Sequence, residues 1–339
     1  THCISSAASD VYKRQMQTRH WPDHGIPCRE GNISSWCRRI VAALCITALC
    51  GALSACSAPR IDGRAESEHQ PSACESAYWA ADASTATMNG RHHIIMRYLA
   101  AKQAVGQWSE VAATCTQRFA QGTIRSAQAE HVAVTLGTRL GGNDTYRTVS
   151  DDSLRQVLGI DLDGATLGAM SLAEDRAGFV MEVLAARDTP GATLSRSDRH
   201  KTAGQLLFTA SGLSRDPREK VYDIQKILAS PTSMTDSTTG LSVPTTALTE
   251  IDCAREQLAA MADDGASAKS KHTDKTGNNT NGSGDTDSAT DTTDVNATDT
   301  NTVGTENDAR LRVLSTLISS HITSAFALGY PDMDAFLFS

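Results

Sequence analysis

Aromatic side chains are scarce in this sequence of 339 residues: Phe, Trp and Tyr together make up 5%, whereas hydrophobic residues reach 40%. Much of that hydrophobic share is Ala. β-Sandwiches and barrels favour aromatic and β-branched residues, whereas Ala has the highest helix propensity. The composition therefore predicts close-packed helices and disfavours a β-rich fold.

Basic residues are outnumbered by acidic ones, with 31 Lys and Arg against 39 Asp and Glu and a formal net charge of −8. Residues 1–55 hold six of the basic and three of the acidic residues, so the rest has 25 and 36, a net charge of −11. Nucleic-acid binding needs a basic face, and anionic headgroups attract basic segments. The charge therefore argues against a nucleic-acid partner and against membrane attachment by charge alone.

The sequence also lacks an apolar run of the length that spans a membrane. Its longest such run, residues 40–53, has 14 apolar or small residues, whereas a bilayer core needs about 20 in a helix. Arg38 and Arg39 precede the run directly. A basic flank followed by a short apolar run is typical of a secretory signal peptide.

The apolar run ends in Leu53, Ser54, Ala55 and Cys56. This order of one aliphatic residue, two small residues and Cys resembles the lipobox of bacterial lipoproteins. The resemblance implies that the upstream peptide is removed and that Cys56 carries a diacylglyceryl group, whose two chains are enough for stable anchoring. It covers only residues 37–56, and it implies a location on the extracytoplasmic face of the cell membrane without implying an activity.

The segments around this signal are assigned from their composition. Because the chain begins with Thr and its first Met is Met16, we expect residues 1–15 to be a non-native extension and residues 16–55 to be the signal peptide. Residues 56–73 are polar and contain two Pro and one Gly. They are predicted to form a flexible lipidated tether.

A second polar segment, residues 263–308, is rich in Thr, Asp and Asn and contains no Leu, Ile, Phe, Tyr or Trp. A segment with so little apolar surface to bury is predicted to be a disordered acidic insertion. Apolar residues recur at helical spacing on both sides of it. We therefore expect residues 74–262 and 309–339 to form one all-α domain, an irregular multi-helix bundle.

Nine Cys occur, of which only Cys74, Cys115 and Cys253 follow the proposed lipidation site. An exported domain with three such residues is expected to form one disulfide. If residues 75–104 form one helix, it is about 45 Å long, which separates Cys74 from Cys115. The sequence therefore favours a Cys115–Cys253 bond, with Cys74–Cys253 as the alternative.

Motifs for catalysis are missing. The sequence has no Gly-x-Ser-x-Gly, no His-Glu-x-x-His and no glycine-rich phosphate loop, and the predicted helical domain lacks the Glu-x-x-His of carboxylate metal sites in helix bundles. We therefore assign no catalytic residue and no cofactor, and we expect ion pairs on solvated helix faces. The residues singled out as candidates for a metal site are His131, Glu182 and His200.

These observations predict a membrane-anchored extracytoplasmic lipoprotein. Its helical domain is expected to bind a partner or ligand of the cell envelope, such as an envelope protein, a cell-wall component or a small molecule. The alternative is a metal-binding helical bundle or an enzyme.

Overall fold

The structure is a computed structural model in which residues 71–276 and 297–337 are described. The described part is all-α, as the composition predicts, with one short antiparallel hairpin. The predicted signal peptide, Cys56 and nearly all of the predicted tether lie outside the described residues. In chain order the elements are α1 (Ala73–Asn89), α2 (Ile94–Thr114), a 3-10 turn (Thr116–Arg118), α3 (Phe119–Arg139), α4 (Asp151–Arg155), α5 (Gly164–Ala185), α6 (Leu194–Ser211), α7 (Gln225–Ala229), β1 (Ser233–Thr235), β2 (Ser242–Pro244), α8 (Thr245–Thr276), α9 (Ala297–Ala327) and α10 (Asp334–Leu337).

Helices α1 and α2 form an antiparallel hairpin. A capping box starts α1, because the Ser72 hydroxyl accepts from the Glu75 amide and the Glu75 carboxylate accepts from the Ser72 amide. The chain then reverses between Asn89 and Ile94. The beginning of α1 therefore lies beside the end of α2.

The α1–α2 hairpin brings together a different pair of cysteines from the predicted ones. The bond joins Cys74 to Cys115, whose Cα atoms are 5.1 Å apart, and Cys253 is a free, buried thiol. Both predicted pairings with Cys253 are wrong. The prediction treated residues 75–104 as one helix, and the reversal after Asn89 brings the two ends together instead.

Small residues let α2 and α3 pack closely. Gly122 on α3 faces the backbone of α2, and a Cβ at this position would lie 2.5 Å from the Ala112 nitrogen and 2.7 Å from the Trp108 carbonyl oxygen. Only glycine allows so close an approach. The interface agrees with a composition rich in Ala and poor in aromatics.

Helices α5, α6, α8 and α9 surround a second part of the interior. Helix α5 packs on both α6 and α8, and α8 packs on α9. Asp163 caps α5 and Thr193 caps α6, each through its side-chain oxygen. The apolar residues of α9 lie in the main hydrophobic core, among them Leu314, Ile318 and Ile322. These four helices position the site described below.

The polar segment predicted at 263–308 connects α8 to α9. Helix α8 extends to Thr276 and α9 begins at Ala297, so both helices reach into the ends of the segment. Residues 277–296 lie outside the described residues. Among the helices of the described ranges, none combines the length and hydropathy of a membrane span.

Candidate metal centre

Four ionisable side chains from four different helices meet in the interior. Glu174 on α5 is 0% exposed, Glu250 on α8 is 2% exposed, His200 on α6 is 4% exposed and His321 on α9 is 8% exposed. Ionisable residues are seldom buried so completely unless they are paired or bind a metal. The convergence of these residues therefore marks a candidate functional site.

Each imidazole lies between the same two carboxylates. His200 Nδ1 and His321 Nε2 are each 2.7 Å from an oxygen of Glu174. At the opposite edges of the rings, His321 Nδ1 is 3.1 Å and His200 Nε2 is 3.5 Å from Glu250 Oε2. The four side chains form a ring of alternating imidazoles and carboxylates, which we call the His–Glu quartet.

The two imidazole rings stack on each other. Their centroids are 4.8 Å apart and their planes are inclined by 12°. The stacking holds His200 and His321 in one orientation, with two nitrogen edges facing Glu174 and two facing Glu250. An ion on either side can therefore be approached by one nitrogen from each ring.

Two further side chains orient the carboxylates. The Gln257 amide donates to Glu174 Oε1 at 2.7 Å and to Cys253 Sγ at 3.7 Å. Arg196 donates to Glu250 Oε1 at 2.9 Å. Gln257 Oε1 is buried and has no partner among the described residues, so this edge of the quartet retains an unsatisfied polar atom.

Burial and pairing act in opposite directions on the pKa values of the quartet. Burial alone would raise the pKa of Glu174, but His321 and His200 lower it to about 2. The pKa of Glu250 is likewise held below its usual range against burial, through His200 and His321.

The pKa values of the two imidazoles are shifted in the opposite direction. Burial alone would lower the pKa of His321, but Glu174 and Glu250 raise it to about 10. The pKa of His200 is raised too, because Glu250 and Glu174 outweigh burial. Because a carboxylate oxygen faces both nitrogens of each ring, the contacts favour a metal-free quartet of two carboxylates and two imidazolium ions.

The donor atoms are suited to a transition metal. One ligand atom each from Glu174, His200, Cys253 and His321 lies within 4.8 Å of the others. Imidazole nitrogen, carboxylate oxygen and thiolate sulfur are the atoms by which proteins bind Zn²⁺. Glu250 offers a further carboxylate on the other side of the rings.

A cavity of about 60 Å³ leads to the Glu250 side of the quartet. This volume holds a few water molecules or a small ion. Residues of the quartet form its inner wall, and two arginines from the first turns of α6 line it with an aspartate of α4. The charged and titratable lining residues are His200, Glu250, His321, Arg196, Arg199 and Asp151.

Of the predicted candidates, the structure brings only His200 into this centre. Glu182 is about 12 Å further along α5 than Glu174, where it is half-exposed and pairs with Lys201. His131 on α3 contacts the Tyr146 hydroxyl at 2.8 Å. The structure therefore does not bring His131, Glu182 and His200 together into one site.

The sequence patterns did not identify Glu174, Glu250, Cys253 or His321 as metal ligands, and they did not identify Gln257 beside them. A signal was available on α8, because Glu250, Cys253 and Gln257 follow the i, i+3, i+7 spacing of one helix face. His321 lies within the apolar spacing of α9 next to Ile322. A polar residue within an otherwise apolar stripe can be identified from sequence, although its partners cannot.

No protein-family model, curated protein or solved structure matches the chain.

Proposed function

We propose that this chain is an extracytoplasmic lipoprotein whose helical domain binds a divalent transition-metal ion, such as Zn²⁺, between His200 and His321. One observation carries the proposal. Two buried, stacked imidazoles from α6 and α9 present their nitrogens to a carboxylate on each side. The metal ion is then the ligand of the envelope-facing module that the sequence predicts.

Charge supports this function. A divalent ion that binds both imidazoles replaces one proton on each of them, so the net charge of the quartet stays the same. Burying an uncompensated charge is costly, whereas a site of balanced charge is tolerated. The interior that accommodates Glu174, Glu250 and two imidazolium ions can therefore accommodate the metal-bound form.

The cellular location rests on separate observations. The Leu53–Cys56 sequence provides the anchor that the lipobox resemblance implies. The Cys74–Cys115 disulfide supports an exported domain, because disulfides persist in oxidising compartments. A metal-binding domain on the extracytoplasmic face encounters ions before they cross the membrane.

Calorimetric titration tests the proposal. The untagged full chain is purified in detergent, stripped with a chelator, dialysed and titrated with Zn²⁺. We expect one high-affinity ion per chain, and at least tenfold weaker binding in His200→Gln and in His321→Gln, because each variant loses one ligand.

His131→Gln is the matched control, because His131 is a partly buried histidine that contacts Tyr146 outside the quartet. It should bind Zn²⁺ as the unaltered chain does. Equal affinities in all three variants would show that any bound zinc lies elsewhere, and would overturn the proposal in favour of a purely structural ion cluster.

A further inference from the structure

We infer that the metal ion lies on the Glu250 side of the imidazole pair and keeps one coordination position open to the adjacent cavity, where it binds a small oxyanion together with Arg199. This inference rests on the proposed function. In this arrangement His200, His321 and Glu250 bind the ion. The Glu174 carboxylate orients the two rings.

The nitrogen–oxygen distances differ between the two sides of the rings. Ligand atoms bound to tetrahedral zinc at about 2.0–2.1 Å stand about 3.4 Å apart. On the Glu250 side, the nitrogens of His321 and His200 lie 3.1 and 3.5 Å from the carboxylate oxygen. Both separations are close to this ligand–ligand distance, so rotation of the two stacked rings towards a common point would let both nitrogens and the Glu250 oxygen bind one ion.

On the Glu174 side the rings make shorter hydrogen bonds than on the Glu250 side. Both nitrogen–oxygen distances on the Glu174 side are 2.7 Å, which is too short for an ion to bind between these atoms. Histidine ligands of metals usually donate their second N–H to a carboxylate, which fixes the orientation of the ring. Glu174 has this relationship to both His200 and His321 at once.

An ion on the Glu250 side also leaves the surrounding contacts intact. Glu174 keeps its hydrogen bond from Gln257, and Glu250 Oε1 keeps the one from Arg196. An ion on the other side, held with Cys253, would break both 2.7 Å contacts of Glu174. Four protein ligands would then enclose it, which is the arrangement of a closed structural zinc site.

Three protein ligands leave a fourth position, and the cavity lies next to it. His200, Glu250 and His321 all line this cavity of about 60 Å³. Two imidazoles and one carboxylate with an exchangeable fourth ligand form the set used by open zinc sites. The cavity therefore gives the ion access to water and to small solutes.

The remaining charges of the cavity favour an anion as the fourth ligand. Arg196 and Arg199 line it together with a single further acidic residue, Asp151. Arg199 is exposed and makes no hydrogen bond or ion pair with any described residue. A guanidinium that lines the same cavity as a divalent ion suits an oxyanion of the size of acetate or phosphate, because it can donate two parallel hydrogen bonds to it.

Cobalt(II) provides the test, because its absorption reports the ligands that surround it. The full chain is stripped of metal, loaded with Co²⁺ and titrated with acetate and with phosphate. We expect visible ligand-field bands without a thiolate-to-cobalt charge-transfer band, and a saturable change in those bands when the oxyanion is added. Cys253→Ser should bind Co²⁺ within twofold of the unaltered chain, whereas Glu250→Gln should bind it at least tenfold more weakly.

Arg199→Gln should weaken oxyanion binding at least tenfold while leaving Co²⁺ binding unchanged. Arg155→Gln is the matched control: Arg155 is a neighbouring exposed arginine on α4 that pairs with Asp152, and it should affect neither. An oxyanion response that survives unchanged in Arg199→Gln would contradict the role of that residue.

A thiolate band that disappears in Cys253→Ser, without a response to oxyanions, would place the ion beside Glu174. That result would overturn the inference and leave metal binding by His200 and His321 standing. An unaltered chain that fails to bind Co²⁺ would overturn the proposed function as well.

Discussion

Gly204 on α6 lies so close to Glu174 on α5 that a Cβ atom at position 204 would be 3.3 Å from the Cβ of Glu174. The same atom would be 3.1 Å from the Ser171 carbonyl oxygen. Gly204 is one helical turn after His200, so this close approach of the two helices also determines how His200 meets Glu174. The backbone contact and the candidate metal centre are thus parts of one interface.

We therefore expect Gly204→Ala to destabilise the fold by about 1–3 kcal/mol, because the added methyl group forces α5 and α6 apart. The affinity for Zn²⁺ should fall as well. Urea unfolding and calorimetric titration measure the two effects.

Gly106→Ala is the control for this substitution. Gly106 lies inside α2, and a Cβ there meets nothing within 4 Å. This variant should gain about 0.5–1 kcal/mol, because Ala is the better helix former. If both variants lose stability equally, the close approach at Gly204 is not what limits substitution there.

The sequence predicted the class of the fold but only one member of its central site. The scarcity of aromatics and the abundance of Ala were enough to predict an all-α architecture, because helix propensity and side-chain size are properties of individual residues. The partners of His200 are not local, because Glu174, Glu250 and His321 lie on three other helices. Which face of α8 points inward depends on how α5 and α9 pack against it.

The disulfide prediction failed for a related reason. Its geometry depends on whether the chain continues or reverses at Asn89, and helical periodicity on both sides of this residue fits either outcome. Two residues 41 positions apart in sequence are distant along one helix and adjacent across a hairpin.

Loss of this bond should weaken the domain. Chain-entropy arguments for a loop of this length give about 4 kcal/mol, and measured values for disulfides are about 2–4 kcal/mol. We expect Cys74→Ser to lower the urea midpoint accordingly, and reductant to lower that of the unaltered chain equally. Cys253→Ala should still respond to reductant, and absence of that response would contradict the Cys74–Cys115 pairing.

Asp236 should make the fold sensitive to acid. This carboxylate is 1% exposed and accepts hydrogen bonds from Arg255 and from the Tyr330 hydroxyl. Burial alone would raise its pKa, but these two partners hold the pKa below the ordinary value of 3.8. The stability that it contributes is therefore complete above about pH 4 and is lost as the pH falls further.

At neutral pH, Asp236→Asn should cost about 3 kcal/mol, because it leaves Arg255 without its buried partner. The gap in urea-unfolding free energy between this variant and the unaltered chain should narrow as the pH falls below about 4. Asp152→Asn removes an exposed carboxylate and should match the unaltered chain at every pH. A gap for Asp236→Asn that stays constant with pH would show that ionised Asp236 does not contribute this stability.

The anchor is tested by changing one residue. Cys56→Ser should remove the lipidation site, so that the protein leaves the membrane fraction and its diacylglyceryl mass is lost. Cys50→Ser changes a thiol within the apolar run and should remain lipidated. A Cys56→Ser protein that fractionates with the membrane as the unaltered chain does would contradict a lipid anchor at this position.

Anomalous diffraction at the zinc absorption edge tests whether His200 and His321 bind a metal ion, using crystals of the full chain grown with one equivalent of Zn²⁺. We expect a single strong peak at bonding distance from one nitrogen of His200 and one nitrogen of His321. If the two imidazoles remain hydrogen-bonded to Glu174 and Glu250 with no peak beside them, the quartet is a structural ion cluster and the proposed metal centre does not exist.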